Sequence, residues 1–245
     1  MKVQVVPLSH EGVTLTLYQL DSSREMPYAD KRPGVLVCPG GGYRFCSDRE
    51  AEPIAMCFLA MGYHAFVLRY SLNENARFPQ PLQDVDEAFA YLDGHAEELH
   101  LLTDKIAICG FSAGGHLAAA SSVMGGRRPA AQILGYPCIN RACCERDVLV
   151  NHGACPPVDE RVDASTPPAF IFATSTDDCV PVKNALDYAE ALAAHGVDFE
   201  LHVFEQGGHG LATGDYVTNG EHPNPDFAQW VPLCKAWLKR RFTDC

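Results

Sequence analysis

Residues 105–122 read KIAICGFSAGGHLAAASS, and this stretch leaves the chain little freedom in how it can fold. An apolar run, Ile106 to Cys109, meets Gly110-Phe111-Ser112-Ala113-Gly114, and an alanine-rich segment follows. That order predicts a strand, a tight turn and a helix, with Ser112 at the corner. The glycines are needed because such a turn strains the serine backbone and brings strand and helix close together. The serine oxygen then stands clear at a helix N-terminus, where free N–H groups and the helix dipole favour a developing negative charge. Ser112 is therefore a candidate nucleophile for acyl transfer. The plain alternative is a structural turn that contains a serine by chance.

A hydroxyl is a poor nucleophile near neutral pH and needs a base, plus a third group to hold that base. His209 lies in Gly207-Gly208-His209-Gly210, just past the expected strand Phe199 to Phe204. A histidine between glycines is poorly placed for core packing, so it is the candidate base. The candidate acid is one of two neighbours, Asp177 or Asp178, at the end of an expected strand from Phe170 to Ser175. Only one of them can aim at the imidazole. The apolar strand Val35 to Cys38 runs into Pro39-Gly40-Gly41-Gly42-Tyr43, whose glycines uncover backbone N–H groups. Gly41 and Gly42, with Ala113, are the candidate oxyanion donors. No Gly-Lys-Ser/Thr follows, which excludes a phosphate loop. Tyr43 and His116, the latter one helical turn beyond Ser112, are the candidate substrate-contacting residues.

Elsewhere, Val3 to Val6 and Val13 to Leu20 read as an antiparallel hairpin. Helical periodicity marks residues 52–61, 81–99, 182–195 and 227–241, with further strands at 64–68 and 131–136. From residue 35 strands alternate with helices, which predicts an α/β fold with a mostly parallel sheet of about eight strands covered on both faces. One domain is expected over residues 1–245. Residues 137–168 break the rhythm and read as an insertion that caps the site. The acidic face of the 81–99 helix (Asp84, Asp86, Glu87, Asp93, Glu97 and Glu98) reads as solvated surface. A net charge of −12 argues against nucleic acid or an anionic membrane as partner. No apolar stretch is long enough to span a bilayer, and residues 1–12 lack a signal peptide's pattern, so a cytoplasmic location is expected. The chain has 11 cysteines but no C-x-x-C pair and no zinc-ligand spacing. They are expected to be reduced; for the cluster Cys138, Cys143, Cys144 and Cys155 a local metal or disulfide site is the alternative.

Four segments carry a resemblance: PGGGY at 39–43, GFSAGGHLAA at 110–119, DDCVPVKNAL at 177–186 and ELHVFEQGGHG at 200–210. In these the chain resembles the α/β-hydrolase serine esterases, and most of all their small bacterial branch of acetyl esterases and acetyl xylan esterase-like sugar-ester hydrolases. The resemblance implies Ser112 as nucleophile, His209 as base and an acid just before Val180-Pro181. The D-x-x-V-P spacing selects Asp177. A longer Asp-Asp-x-x-Val-Pro form in some relatives keeps Asp178 as the alternative acid. Pro39 stands where the H-G-G-G loop of the hormone-sensitive-lipase-like branch has histidine. The implied activity is hydrolysis of short-chain, acetyl esters of small molecules, carbohydrates among them, with no metal or cofactor. A homo-oligomer is left open. Two other classes are weighed: an amide-cleaving serine hydrolase (formamidase or peptidase) on the same triad, and a non-catalytic binding protein that kept the fold.

Overall fold

The computed structural model describes residues 1–145, 149 and 155–242. The hairpin β1 (Lys2–Pro7) and β2 (Thr14–Gln19) opens the chain, followed by β3 (Arg32–Cys38), α1 (Glu52–Ala60) and β4 (His64–Arg69). Then come α2 (Gln80–Gly94), β5 (Leu101–Phe111), α3 (Ala113–Met124) and β6 (Ala131–Gly135). The chain closes with α4 (Arg141–Cys144), β7 (Ala169–Thr174), α5 (Lys183–Ala194), β8 (Phe199–Phe204), α6 (Tyr216–Asn219) and α7 (Trp230–Arg241).

The strands form one 8-stranded sheet in the order β1-β2-β4-β3-β5-β6-β7-β8. β2 runs antiparallel to both of its neighbours, and all other pairings are parallel. Successive strand residues point to opposite faces. Every residue of β6 and β7 is buried, so both faces of the sheet centre are covered. Residues on both faces of β1 stay exposed at the sheet edge. α2 packs on α3, which lies over β3, β5 and β6. α7 packs on β7, where Trp230 stacks on Phe172 with ring centroids 4.4 Å apart.

Three local expectations change. The helix expected over 81–99 ends at Gly94, and turns lead from there into β5, which begins at Leu101. Polar Thr103, Asp104 and Lys105 hide that strand start in the sequence, while pairing of Leu101 with Arg32 extends the ladder. The acidic face of α2 is not simply solvated. Asp84 is fully buried, and its carboxylate lies 2.5 Å from His10 Nδ1 and accepts from the Ser71 amide at 2.7 Å. Glu87 accepts from the Ser9 amide and hydroxyl, and Asp86 from the Gly126 amide. These carboxylates pin α2 to the turns around it.

The start of the 137–168 segment is anchored to α5. Asn184 Oδ1 accepts from the Ile139 and Asn140 amides at 2.9 and 3.1 Å. Cys138 and Cys143 are joined by a disulfide where reduced thiols were expected; the α4 turn brings their Cα atoms to 5.8 Å, within the span such a bond bridges. Residues 146–148 and 150–154 of this segment lie outside the described residues.

Packing is close at the β5–α3 junction. A methyl group on Gly114 would lie 2.1 Å from the Cys38 carbonyl oxygen and 2.4 Å from that of Pro39. These are backbone atoms that cannot rotate away. Gly114→Ala is therefore expected to destabilise the fold by about 1–3 kcal/mol, measured by urea unfolding. An unchanged midpoint would show that the junction has slack.

Candidate active site

Ser112 sits between β5 and α3 with φ 53° and ψ −117°, a backbone conformation that costs an L-residue about 1–3 kcal/mol. Its neighbours hold it there. The Ser112 amide donates to Gly135 O at 3.0 Å, and the Ser112 carbonyl accepts from the His116 and Cys138 amides at 3.0 and 3.1 Å. Gly110 permits the turn because a Cβ there would meet Gly114 O at 2.1 Å.

The loop after β8 carries His209 to this corner. Its Nε2 lies 2.8 Å from Ser112 Oγ, and its Nδ1 lies 2.7 Å from Asp177 Oδ2. The acid chosen by the geometry is Asp177; Asp178 is exposed to solvent. The Asp177 side chain is 1% exposed. Its other oxygen, Oδ1, accepts from the Cys179 and Val180 amides at 3.0 and 2.9 Å. An ionised carboxylate can only accept, so the shared proton belongs to His209 Nδ1, which leaves Nε2 free to accept from the serine hydroxyl. The Tyr136 ring packs edge-on against the imidazole, with centroids 4.9 Å apart.

Ser112, His209, Gly41 and Gly42 line one cavity of about 1090 Å³, together with Arg44 and Phe45. Gly41 and Gly42 take φ of 130° and 64°, which turns the loop so that it faces the serine. Ala113 is the first residue of α3, where a helix leaves its N–H without an internal partner.

Tyr43 and His116 are placed differently from the expectation. Both are fully buried and neither lines the cavity. Tyr43 donates its hydroxyl to His116 Nδ1 at 2.8 Å, and His116 Nε2–H donates to Pro156 O at 2.9 Å. They brace the glycine loop against α3 and the 137–168 segment from behind. Burial pushes the His116 pKa down to about 4, so the ring is neutral at neutral pH.

Sequence reasoning missed several residues around the cavity. Arg44, Phe45, Arg49 and Glu145 line it, and Cys179 forms part of its wall. The buried pair Glu50 and Tyr136 stands behind it, with the Tyr136 hydroxyl donating to Glu50 Oε1 at 2.5 Å. Nothing local in Ser-Asp-Arg-Glu distinguishes Glu50 from a surface carboxylate. Only its burial in the tertiary structure does.

Known structures share the fold. The structure of an alpha/beta hydrolase enzyme from a Medee basin deep-sea metagenome library superposes with a TM-score of 0.91 and 43% identity, over 98% of both chains. The chain belongs to the α/β-hydrolase family. Within that family, a carboxylesterase from Lactobacillus plantarum superposes with a TM-score of 0.89 and 30% identity, again over 98% of both chains. Residues 24–136 of this α/β hydrolase match the BD-FAE family, and residues 145–231 match the prolyl oligopeptidase family. An acetylxylan esterase from Xylanibacter ruminicola is 28% identical over 80% of the chain and 45% of its own length. The chain spans a third to under a half of the length of such curated relatives.

Two outcomes follow from the site geometry. Asp177→Asn is expected to slow reaction of Ser112 with a fluorophosphonate by about 10⁴-fold, because the amide favours the wrong imidazole tautomer. Asp178→Asn should leave the labelling rate within about twofold, as its side chain is solvated; the reverse ranking would remove Asp177 from its role. The second outcome concerns pH. The His116 pKa is near 4 in the folded chain and returns to about 6.5 on unfolding, so the unfolded chain binds the extra proton and stability falls as pH drops through that window. His64, buried and also lowered to about 4, adds to the same loss. His116→Gln can keep both hydrogen bonds without titrating. Its melting temperature should fall less steeply between those pH values than that of the parent protein, as calorimetry would show.

Proposed function

We propose that this α/β hydrolase is a serine carboxylesterase that releases short acyl groups, acetyl first among them, from small-molecule esters. The observation that carries the reading is the unbroken line from buried Asp177 through His209 to Ser112, opening on a cavity walled by the glycine loop. In the first step Ser112 Oγ attacks the ester carbonyl carbon while its proton passes to His209 Nε2. The carbonyl oxygen takes up the negative charge and is held by the Gly41, Gly42 and Ala113 N–H groups. As the oxyanion collapses, the carbon–oxygen bond to the alcohol breaks, and the alcohol leaves with the proton from His209. Water then attacks the acyl-serine, giving its proton to His209, and the acid departs as Ser112 regains that proton. Asp177 keeps the imidazole oriented and stabilises its charged form throughout.

Acetylated carbohydrates are the favoured substrate class, supported by the acetylxylan esterase relative and by a cavity with both charged and aromatic walls. The same reading takes residues 1–245 as one domain and residues 137–168 as part of the cavity wall, where Glu145 stands. Amide cleavage is the second reading, favoured by the match of residues 145–231 to the prolyl oligopeptidase family.

The test is acetate release from a panel of acetylated mono- and oligosaccharides, run beside formyl-amide and aminoacyl-amide substrates. Release of acetate is expected, and Ser112→Ala should lower it by about a million-fold. Serine-dependent turnover of the amides without the esters would replace the esterase by an amidase. Equal turnover with and without Ser112 would end both.

A further inference from the structure

Glu50 closes a short 3-10 turn, Asp48–Glu50, just after the glycine loop, and is 3% exposed. Its two carboxylate oxygens serve two different parts of the site. Oε2 accepts from the Gly40 amide at 2.8 Å, at the root of the loop that carries Gly41 and Gly42. Oε1 accepts from the Tyr136 hydroxyl at 2.5 Å. The Tyr136 oxygen in turn accepts from the Ala212 amide at 3.0 Å, three residues beyond His209, and the Tyr136 ring packs on the imidazole itself. One buried carboxylate thus ties the loop facing the serine to the loop carrying the histidine.

We propose that Glu50, acting through Gly40 and Tyr136, is the positioning residue that holds the oxyanion loop and the His209 loop in register across Ser112. The inference rests on the serine-hydrolase reading above. Three observations support it. First, the fit is close: a Cβ on Gly40 would lie 2.6 Å from Glu50 Oε2 and 3.0 Å from the Ser112 Cβ, so the root of the loop packs against both the carboxylate and the nucleophile. Second, both oxygens face donors, the arrangement an ionised carboxylate satisfies. Burial is the largest influence and leaves the Glu50 pKa raised, although the Tyr136 hydroxyl, the Gly40 amide, His209 and Arg49 oppose it. Third, other bonds fix the ends of the link: Tyr70 donates its hydroxyl to Pro39 O at 2.5 Å, and Trp230 Nε1–H donates to Ala212 O at 2.9 Å. The loops are clamped from outside, and Glu50 sets their spacing from inside.

A neutral amide cannot serve both donors, since one of its two ends is itself a donor. The test compares Glu50→Gln, Tyr136→Phe and the double variant. Each is first checked for a wild-type-like near-ultraviolet spectrum and cooperative melting. Two rates are then read: fluorophosphonate labelling of Ser112, and steady-state hydrolysis of 4-nitrophenyl acetate. Glu50→Gln should slow labelling and kcat by about 10- to 100-fold with KM within about twofold, because a misplaced loop costs transition-state contacts more than binding. The double variant should be no slower than Glu50→Gln alone within about twofold, because both changes cut one link. If Glu50→Gln does not fold, Tyr136→Phe carries the test, with a loss in kcat and unchanged KM expected. Labelling of the variants at the wild-type rate, or losses that multiply in the double variant, would overturn the inference while leaving the hydrolase reading intact. No labelling of Ser112 in the wild type would overturn both.

Discussion

The contact of Gly114 with the backbone carbonyls of Cys38 and Pro39 is the constraint on which the rest of the site depends. It presses the first turn of α3 against the end of β3. To reach that position the chain must reverse within one residue after β5, and Ser112 takes the strained conformation that permits it. The strain is offset by the hydrogen bonds at its amide and carbonyl, so the turn does not relax. A further consequence concerns the loop after β3. Because β3 ends where α3 begins, Gly41 and Gly42 come to lie beside the serine with no long excursion of the chain. Nucleophile, helix N-terminus and loop amides are assembled by one backbone contact.

Around that contact the buried polar groups are nearly all paired, and the pairing is what makes the site rigid. Asp177 receives two amides and the imidazole. Glu50 receives an amide and a phenol. His116 is bonded at both nitrogens. Unpaired, each of these groups would cost about 1–3 kcal/mol or more to bury. Paired, they resist reorganisation in a region of low dielectric, where fixed dipoles act most strongly on developing charge.

Much of this was legible in the chain. The change from an apolar strand to glycine, serine and a small-residue helix marked the corner, and His209 stood out because glycine neighbours offer a histidine no core to pack into. Strand and helix alternation carried the sheet, since fully buried strands such as β7 read as unbroken apolar runs. The failures share a cause. Asp84 and Glu50 look like surface carboxylates because local sequence records charge and not burial. Tyr43 and His116 lie close to the glycine loop and the serine in sequence, yet their side chains turn away from the cavity and bond to each other. The start of β5 was hidden because Thr103, Asp104 and Lys105 interrupt its apolar pattern.

The sequence by itself determined the order of elements and marked the candidate nucleophile and base, because each depends on short-range chemistry: glycine where a side chain cannot fit, apolar residues where a strand is covered, histidine on an open loop. The tertiary structure decided which of two adjacent aspartates meets the imidazole. It also decided that Cys138 faces Cys143, and that Glu50 bridges loops drawn from β3 and β8. Those outcomes turn on direction and distance between segments far apart in the chain. Neighbouring residues of one type present the same chemistry to a reader of the sequence, and only the packed backbone gives their side chains different partners.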